Sequence, residues 1–348
     1  MESTSFIHST PIDSRLLLAY KLSPSVFGEA FRILRLKHDT AYKSFKDRDD
    51  FGPVNIACTL RFIETVDKEL ASFPDKKIVF CIRAGRRQLT NAVFLLGAYM
   101  ILKRNSKPQS VADCFSWIEP EMLEPFRDAT YSKPDFHLHL IDCWQALDRG
   151  KQHGWVRFAK AGYMWGDIDI DEYEHYNAAA NGGMHEVVPG KLVAFKSPVD
   201  LGGADYRDRE DGTRDFSPAF YAHILSGMRV STVVRLSAQQ YDAQAFVSQG
   251  FECHAFEFAQ GARPPDTVVS AFFGAMDAAA GAVAVHSEDG LWRTGTLIAL
   301  YLMRSWGFTA REAVGWLRIM RPGSIVGEQQ GYLCDVEEAR QALRKGGP

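Results

Sequence analysis

The chain has 348 residues, of which 46% are hydrophobic, and a formal net charge of −3. This length is sufficient for two domains, and the composition is that of a globular protein. The small negative charge excludes a strongly basic nucleic-acid-binding protein and gives no general attraction to an anionic membrane. The longest apolar runs, such as 92–102, are too short to cross a bilayer, so we expect no membrane insertion.

The N-terminus and the cysteines favour an intracellular protein. The first residues lack the basic start and the apolar core of a secretory signal peptide. Six cysteines lie far apart without a Cys-x2-Cys pair, which favours free thiols over a disulfide framework or a zinc site. The histidines show no metal-ligand spacing, and we expect neither a metal nor a cofactor. The composition thus predicts a cytoplasmic or nuclear address.

The first half of the chain predicts an α/β pattern. Residues 14–20 are typical of a strand, and Ser23 with Pro24 predicts the start of a helix that reaches about Leu36. Periodicity and β-branched residues then predict a charged loop at 37–50, a helix at 56–73, a strand at 78–82, a basic turn at 83–87 and a helix at about 90–103.

The second half repeats this plan in a more compact form. The pattern predicts helices at 218–226, 243–249, 267–280, 297–303 and 309–318, and strands at 230–236, at 251–258 and from Val283. Loops are expected at 260–266 and at 321–330, where the second loop could bring two glutamines back towards the strand that begins at Val283.

Two similar strand–turn–helix units suggest an internal duplication. By eye, residues 78–102 parallel residues 283–303. We therefore predict two tandem α/β domains, each with a central, mostly parallel sheet flanked by helices. The glycine-rich and charged stretch before Pro218 predicts an N-terminal domain at 1–200, a linker at 201–216 and a C-terminal domain at 217–348.

The most informative stretch is 283–296, which reads V-A-V-H-S-E-D-G-L-W-R-T-G-T. A buried strand, a tight turn and a helix start place backbone N–H groups and the positive helix end around one point, as in a phosphate cradle. Arg293 would add a fork for two phosphate oxygens. His286 and Arg293 frame the signature His-Cys-x5-Arg of the cysteine phosphatases, but Ser287 stands at the nucleophile position.

Together with R-P-G-S-I-V-G-E-Q-Q at 321–330, D-F-G-P-V-N at 50–55 and D-E-Y-E-H-Y at 171–176, this stretch resembles the cell-division-cycle-fourteen dual-specificity phosphatases. The resemblance runs from about residue 50 to 333. It implies two tandem domains of the dual-specificity phosphatase fold, the first without an active site, and a role in the cell cycle. It also implies that Arg293 binds phosphate, that Thr294 hydrogen-bonds the nucleophile, and that Gln329 and Gln330 position the hydrolytic water, while His286 orients the loop.

Other positions depart from the family pattern. The general-acid Asp of the family is replaced by Gln260, and an amide cannot donate a proton at neutral pH. Glu288 and Asp289 replace Lys-Ala after the nucleophile, so two carboxylates would oppose phosphate binding. Trp292 replaces a glycine at a point of close approach, whereas Gly290 is retained.

The family prefers phosphoserine-Pro followed by basic residues, which face an acidic groove. Glu174 is the groove carboxylate that this chain retains, although a solvated helix charge is about as good an interpretation. The other two groove positions correspond to Asn177 and Gly183, which weakens the preference for a basic peptide.

In the first half, Cys81 and Arg87 share the Cys-x5-Arg spacing. Phe80 replaces the preceding His, and Gln88 and Leu89 replace the Thr-Gly. A buried structural cysteine is therefore favoured over a second phosphatase loop.

Three functions remain open at the level of sequence. The favoured hypothesis is a pseudophosphatase that binds a protein or phosphoprotein partner as a scaffold or regulator, with a homodimer left open. The alternatives are an active dual-specificity phosphatase that carries serine in place of cysteine at Ser287, and a phosphopeptide binder without turnover. The family resemblance adds the centrosome and the basal body as candidate subcellular locations.

Overall fold

The computed structural model describes residues 9–12, 14–36, 42–44, 49–83, 85–130, 135–157, 168–210 and 212–345. Its strands are β1 (Ser9–Pro11), β2 (Leu16–Tyr20), β3 (Phe31–Ile33), β4 (Lys77–Ile82), β5 (His185–Val188), β6 (Leu192–Lys196), β7 (Tyr206–Asp208), β8 (Arg214–Phe216), β9 (Val230–Arg235), β10 (Glu252–Ala255) and β11 (Ala282–Ser287). Its α-helices are α1 (Ile56–Ser72), α2 (Arg86–Leu102), α3 (Pro108–Cys114), α4 (Leu140–Gln152), α5 (Ile170–Asn177), α6 (Pro218–Gly227), α7 (Gln244–Val247), α8 (Asp266–Ala278), α9 (Trp292–Ser305), α10 (Ala310–Met320) and α11 (Glu328–Lys345).

The first sheet has the strand order β1-β2-β4-β3. Strand β4 runs parallel to β2 and β3, whereas β1 is antiparallel to β2. Helix α1 begins after Asn55, whose side chain accepts a hydrogen bond from the Cys58 N–H at 2.9 Å and so caps the helix. The predictions for β2, α1, β4 and α2 are confirmed, with boundaries that differ by a few residues.

The helix predicted from Ser23 to about Leu36 is wrong. The chain forms only a short 3-10 turn at Pro24–Val26 and then strand β3. Ser23 does cap the turn, because its side chain accepts from the Ser25 N–H at 3.4 Å. Pairing with the free edge of β4 satisfies the backbone of β3, so a tertiary contact overrides the local helix signal.

The second sheet has the strand order β10-β9-β11-β6-β5 and is parallel except for the β5–β6 pair. Sheet membership therefore differs from the predicted division, because β5 and β6 precede residue 200 and yet belong with the C-terminal strands. The predicted linker at 201–216 also contains the antiparallel hairpin β7–β8. Its many charged residues suggested a linker, but in the hairpin they form ion pairs with one another.

The two sheets are joined by one continuous hydrophobic core, to which α1, α2, α4, α9 and α10 contribute. Trp316 of α10 is fully buried, and its indole N–H donates to the Val187 carbonyl at 2.9 Å. At the same junction, the Tyr173 hydroxyl donates to the Met320 carbonyl at 2.9 Å. Within the described ranges, no helix is both long and apolar enough to cross a membrane.

Candidate active site

The candidate site lies at the carboxyl end of β11, the central strand of the second sheet. This strand runs parallel to β9 on one side and to β6 on the other, and Val283 and Val285 are fully buried. The chain turns at 288–291 and enters α9 at Trp292. The strand, turn and helix predicted for this stretch are present, and the positive end of α9 faces the turn.

His286 forms the buried base of the turn. Its Nε2 lies 2.8 Å from the Tyr241 hydroxyl, and its Nδ1 has no hydrogen-bond partner among the described residues. Burial, and then the nearby Arg235 guanidinium, lower the pKa of His286 to about 3. The ring is therefore neutral at physiological pH, its Nε2 is held by Tyr241, and among the described residues it makes no hydrogen bond to the Ser287 Oγ.

Ser287 is fully buried at the end of β11. The Thr294 hydroxyl donates to the Ser287 Oγ at 3.0 Å, which is the contact that the family resemblance implies. In the part of the chain that the structure describes, no carboxylate or imidazole is hydrogen-bonded to this Oγ. A serine hydroxyl needs such a base to become a nucleophile, and Ser287 does not have one.

The loop amides after Ser287 are largely satisfied from within the loop. The Asp289 Oδ1 accepts from the Leu291 N–H at 2.9 Å and from the Trp292 N–H at 3.4 Å. The Gly290 N–H donates to the Ser287 carbonyl at 3.1 Å. A phosphate cradle needs these N–H groups to converge on an external anion. In this protein, a carboxylate of the chain takes two of them.

Gly290 and Arg321 fix the shape of the turn. Gly290 has φ +66°, and a Cβ at this position would lie 2.1 Å from the Phe195 carbonyl oxygen, so only glycine fits. Arg321 Nε donates to the Gly290 carbonyl at 2.8 Å. Burial lowers the pKa of Arg321 to about 10, and the guanidinium stays charged at neutral pH. This role of Arg321 was not predicted from the sequence, although the residue opens the R-P-G motif.

Arg293 is buried, as a phosphate-binding arginine would be, but its guanidinium has partners in the chain. Its Nη1 donates to the Phe258 carbonyl at 3.0 Å, and its Nη2 lies 3.8 Å from the Glu288 Oε2. Glu288 is itself exposed, so this second contact is weak. The guanidinium still has free N–H groups for a ligand, but a carboxylate stands beside it.

A groove of about 930 Å³ opens in front of the loop. The side of the groove at the loop includes Gln260, Glu288, Asp289 and Trp292, all of which the sequence analysis placed near the site. Neither Ser287 nor Arg293 is among the described residues that line it. The full lining is Asn177, Ala179, Gly182, Gly183, His185, Lys196, Thr213, Arg214, Phe216, Gln260, Glu288, Asp289, Leu291, Trp292, Arg321 and Pro322.

The two glutamines lie in the first turn of α11 and are both buried. Thr296 donates to the Gln329 Oε1 at 2.5 Å, and Arg318 donates to the Gln330 Oε1 at 2.6 Å. The prediction that residues 321–330 form a loop holds only as far as Gly327, because the helix starts at Glu328. Both amide oxygens are held by the protein, and Gln329 is connected to α9 through Thr296.

The three groove positions predicted in the first half differ in whether they line the groove. Glu174 forms a bidentate ion pair with Arg61 at 2.5 and 2.7 Å and does not belong to the described groove lining. Asn177 and Gly183 do line the groove. The Arg321 guanidinium donates to the His185 Nδ1 at 2.8 Å, so Nε2 carries the proton and donates to the Asn177 Oδ1 at 3.0 Å. The groove role of Glu174 therefore stays a prediction, beside the equally good interpretation as a solvated helix charge.

Cys81 and Arg87, the pair in the first half, have structural contacts among the described residues of this stretch, which are 81–83 and 85–87. Burial raises the pKa of the Cys81 thiol, which disfavours the thiolate. Arg87 is held by Glu124 at 2.8 Å and by Asp49 at 2.6 Å. These contacts favour the structural interpretation of Cys81.

The hairpin β7–β8 forms one wall of the groove and is centred on a buried carboxylate. Asp215 accepts hydrogen bonds from Arg209 at 2.7 Å, from Arg207 at 3.2 Å and from Lys196 at 3.2 Å. Burial alone would raise the pKa of Asp215, but these three cations lower the pKa from its ordinary 3.8 to about 2. The charge of Asp215 therefore stabilises the groove wall.

Substitution of Asp215 should change the acid stability of the protein. A carboxylate whose pKa is lowered in the folded state adds to the free energy of unfolding, and this contribution is complete above the pKa of the unfolded state. It is lost as the pH falls through the pKa of the folded state. Since the cations are partly exposed, we expect Asp215→Asn to cost about 1–2 kcal/mol at pH 7. Denaturant unfolding at several pH values measures this cost, and between about pH 4 and 2 the variant should lose less stability than the wild type. Glu210→Gln, in the same hairpin, is the control, and equal pH slopes for Asp215→Asn and wild type would contradict the assignment.

Comparison with known proteins gives consistent matches. Residues 11–150 match the family model for the N-terminal half of dual specificity protein phosphatases. Over 324 residues, the chain is 34% identical to Dual specificity protein phosphatase CDC14C from Homo sapiens, which covers 92% of this chain and 69% of that protein. It is 38% identical over 297 residues to CDC14A from Homo sapiens, covering 84% of this chain and 47% of CDC14A.

The chain spans 64% of the length of CDC14C from Symphalangus syndactylus and about half of CDC14A. Among solved structures, it is similar to a putative protein tyrosine phosphatase from Leishmania major, with 22% identity and a TM-score of 0.35, over 41% of this chain and 85% of that one. The identity to CDC14C, over most of both chains, confirms the resemblance drawn from the motifs. The chain belongs to the CDC14 family of dual specificity protein phosphatases.

Proposed function

We propose that this protein is a catalytically silent member of its family, which binds protein partners through the groove in front of the degenerate loop. The observation that carries the proposal is the contact of Asp289 with the loop amides, at 2.9 Å to Leu291 and 3.4 Å to Trp292. An external phosphate would have to displace a covalently tethered anion from these N–H groups. Tethering gives the carboxylate a high effective concentration at this point.

The chemistry of the nucleophile supports the same proposal. A cysteine in this loop works as a thiolate, because its pKa can be lowered into the physiological range. A serine hydroxyl is far more basic and needs a neighbouring base. His286, the nearest candidate in the sequence, is held by Tyr241.

The chemistry of the leaving group adds a second deficit. Gln260 is exposed on the loop that faces the groove, at the position that would otherwise hold the general acid. Glu257, three residues earlier, forms an ion pair with Arg235 and is not free to take over this role. Losing general acid catalysis costs about 10²–10⁴-fold in rate.

The groove offers a surface suited to an extended protein segment. Trp292 and Leu291, which are partly exposed, give it apolar area, whereas Glu288 and Arg214 bring charges of opposite sign to its lining. Protein interfaces with buried aromatic residues and a charged rim are well suited to partner recognition. We expect the partner to be a protein in the cytoplasm or nucleus that binds without needing a phosphate.

A titration with tungstate, a phosphate analogue, tests whether the loop binds a phosphate-like anion, which this proposal says it does not. At millimolar tungstate, we expect the wild type to give neither heat in calorimetry nor a shift in thermal midpoint. Arg293→Ala serves as the control that cannot hold the anion. A saturable signal that the wild type shows and Arg293→Ala loses would favour the phosphopeptide binder instead.

A second candidate function is an active phosphatase that carries serine in place of cysteine. It is favoured by the retained contact between Thr294 and the Ser287 Oγ at 3.0 Å and by the names of the relatives. The codon at position 287 of the gene distinguishes the two. A cysteine codon would support this candidate, and a serine codon would support the silent protein.

A further inference from the structure

A small cavity lies at the junction of the two halves of the chain, next to the groove, with which it shares Pro322 in its lining. Its volume is about 10 Å³, close to that of a single water-sized sphere. The wall from the first half consists of Tyr42, Gly52, Arg127, Asp128 and Ala129, and the wall from the second half consists of Arg318, Pro322, Gly323 and Ser324. The cavity therefore separates the first half from the R-P-G-S segment of the second half.

Three polar atoms of this lining have no hydrogen-bond partner in the described part of the chain. They are Arg127 Nε, Arg318 Nη1 and Ser324 Oγ. Arg318 and Ser324 are 4% and 1% exposed, so bulk water does not satisfy them. Buried polar groups left unsatisfied in this way are costly, and they are normally bridged by an ordered molecule.

The charges and the size of the cavity identify the occupant. A water oxygen can accept from Arg318 Nη1 and Arg127 Nε, and its two hydrogens can be donated to Ser324 Oγ and the Asp128 carboxylate. A halide would accept from the arginines but would be repelled by Asp128, which is 5% exposed and also lines the cavity. We propose that this cavity is a binding site for one structural water, which joins the two halves of the molecule.

The water site would hold the segment that leads to the glutamines. Around the cavity, the Gly327 N–H donates to the Asp128 Oδ2 at 2.6 Å. Arg318 donates to the Ile325 carbonyl at 2.9 Å and to the Gln330 Oε1 at 2.6 Å. The bridged water adds a link from Ser324 to the first half, so the position of this segment depends on both halves.

A crystal structure of the whole chain at about 1.5 Å or better tests the site directly. We expect one spherical density peak in the cavity, within hydrogen-bond distance of Arg318 Nη1, Arg127 Nε and Ser324 Oγ. After a sodium bromide soak, anomalous data should show no bromine at this position. An absent peak would overturn the proposal, and a bromine peak would replace the water site with an anion site.

A variant measures the contribution of the bridge in solution. Ser324→Ala removes one partner of the water, and we expect its thermal midpoint to fall by about 1–3 °C. The matched control is Ser226→Ala at an exposed serine, which should leave the midpoint unchanged. An unchanged midpoint for Ser324→Ala would contradict the bridging role, and if this variant does not fold, the wild-type crystal decides.

Discussion

Restoring the nucleophile and the general acid together should recover phosphatase activity that neither substitution restores alone. The test variant carries Ser287→Cys and Gln260→Asp, and the reference variant carries Ser287→Cys alone. Both also carry Asp289→Ala, so that the loop amides are free. On a phosphoserine peptide, we expect this combination to be about 10²–10⁴-fold faster than Ser287→Cys without Gln260→Asp. The reason is that an alkoxide leaving group needs a proton, which Gln260 cannot supply. Steady-state release of phosphate measures the difference.

A cysteine placed elsewhere controls for nonspecific thiol chemistry. Ser237 is buried, as Ser287 is, but lies after β9 rather than in the loop, so Ser237→Cys should show no turnover. An aryl phosphate, whose leaving group needs little protonation, should show a smaller gain from Gln260→Asp than the peptide does. Equal rates with and without Gln260→Asp on the peptide would show that Gln260 does not occupy the general-acid position.

Removing the Asp289 side chain should turn the loop into an anion site. Asp289→Ala frees the N–H groups of Leu291 and Trp292 and also removes a negative charge from the loop. A nearby charge typically shifts a pKa by about 1–3 units, which corresponds to a change of about ten- to a thousandfold in an equilibrium constant. We therefore expect the affinity for tungstate to rise by about the same factor. Calorimetric titration measures the tungstate affinity of the variant, and the highest tungstate concentration that gives no heat with the wild type sets the lower limit of the change.

Glu288→Ala is the matched control for this prediction. It removes the same charge from the neighbouring residue, but the structure gives Glu288 only a distant contact with Arg293 at 3.8 Å. We expect its effect to be at least about tenfold smaller than that of Asp289→Ala, because only Asp289 holds loop amides. If the two variants bind tungstate equally, electrostatic repulsion alone explains the loss of anion binding, and the amide contact is irrelevant.

Much of the second sheet could be predicted from the sequence because its strands are short, apolar and β-branched. Strands β9 and β11 and helix α10 were predicted close to their observed bounds, whereas α9 begins five residues before the predicted range 297–303. The helix predicted from Ser23 was wrong because the pairing of β3 with β4 is a long-range contact, which no local pattern encodes. The hairpin β7–β8 was missed for a similar reason, since its charges are satisfied by partners that only the fold brings together.

For the site, the sequence identified which residue types had changed but not what they contact. The motif placed Ser287, Arg293 and Thr294 in one loop, and the structure brings them together. The prediction for Asp289 was repulsion between charges, whereas the structure adds a direct contact with amides two and three residues later. The hydrogen bond from Arg321 to Gly290 depends on tertiary packing. In the sequence, only the match of the R-P-G motif to the family pattern could have suggested it.

The most direct test of catalytic silence is the hydrolysis of a generic aryl phosphate by the purified wild-type chain. Arg293→Ala sets the background, because it removes the guanidinium that a phosphatase of this family would need. We predict that the wild type and Arg293→Ala release phosphate at the same rate within error. Turnover by the wild type well above that of Arg293→Ala would contradict the account and identify the protein as an active phosphatase.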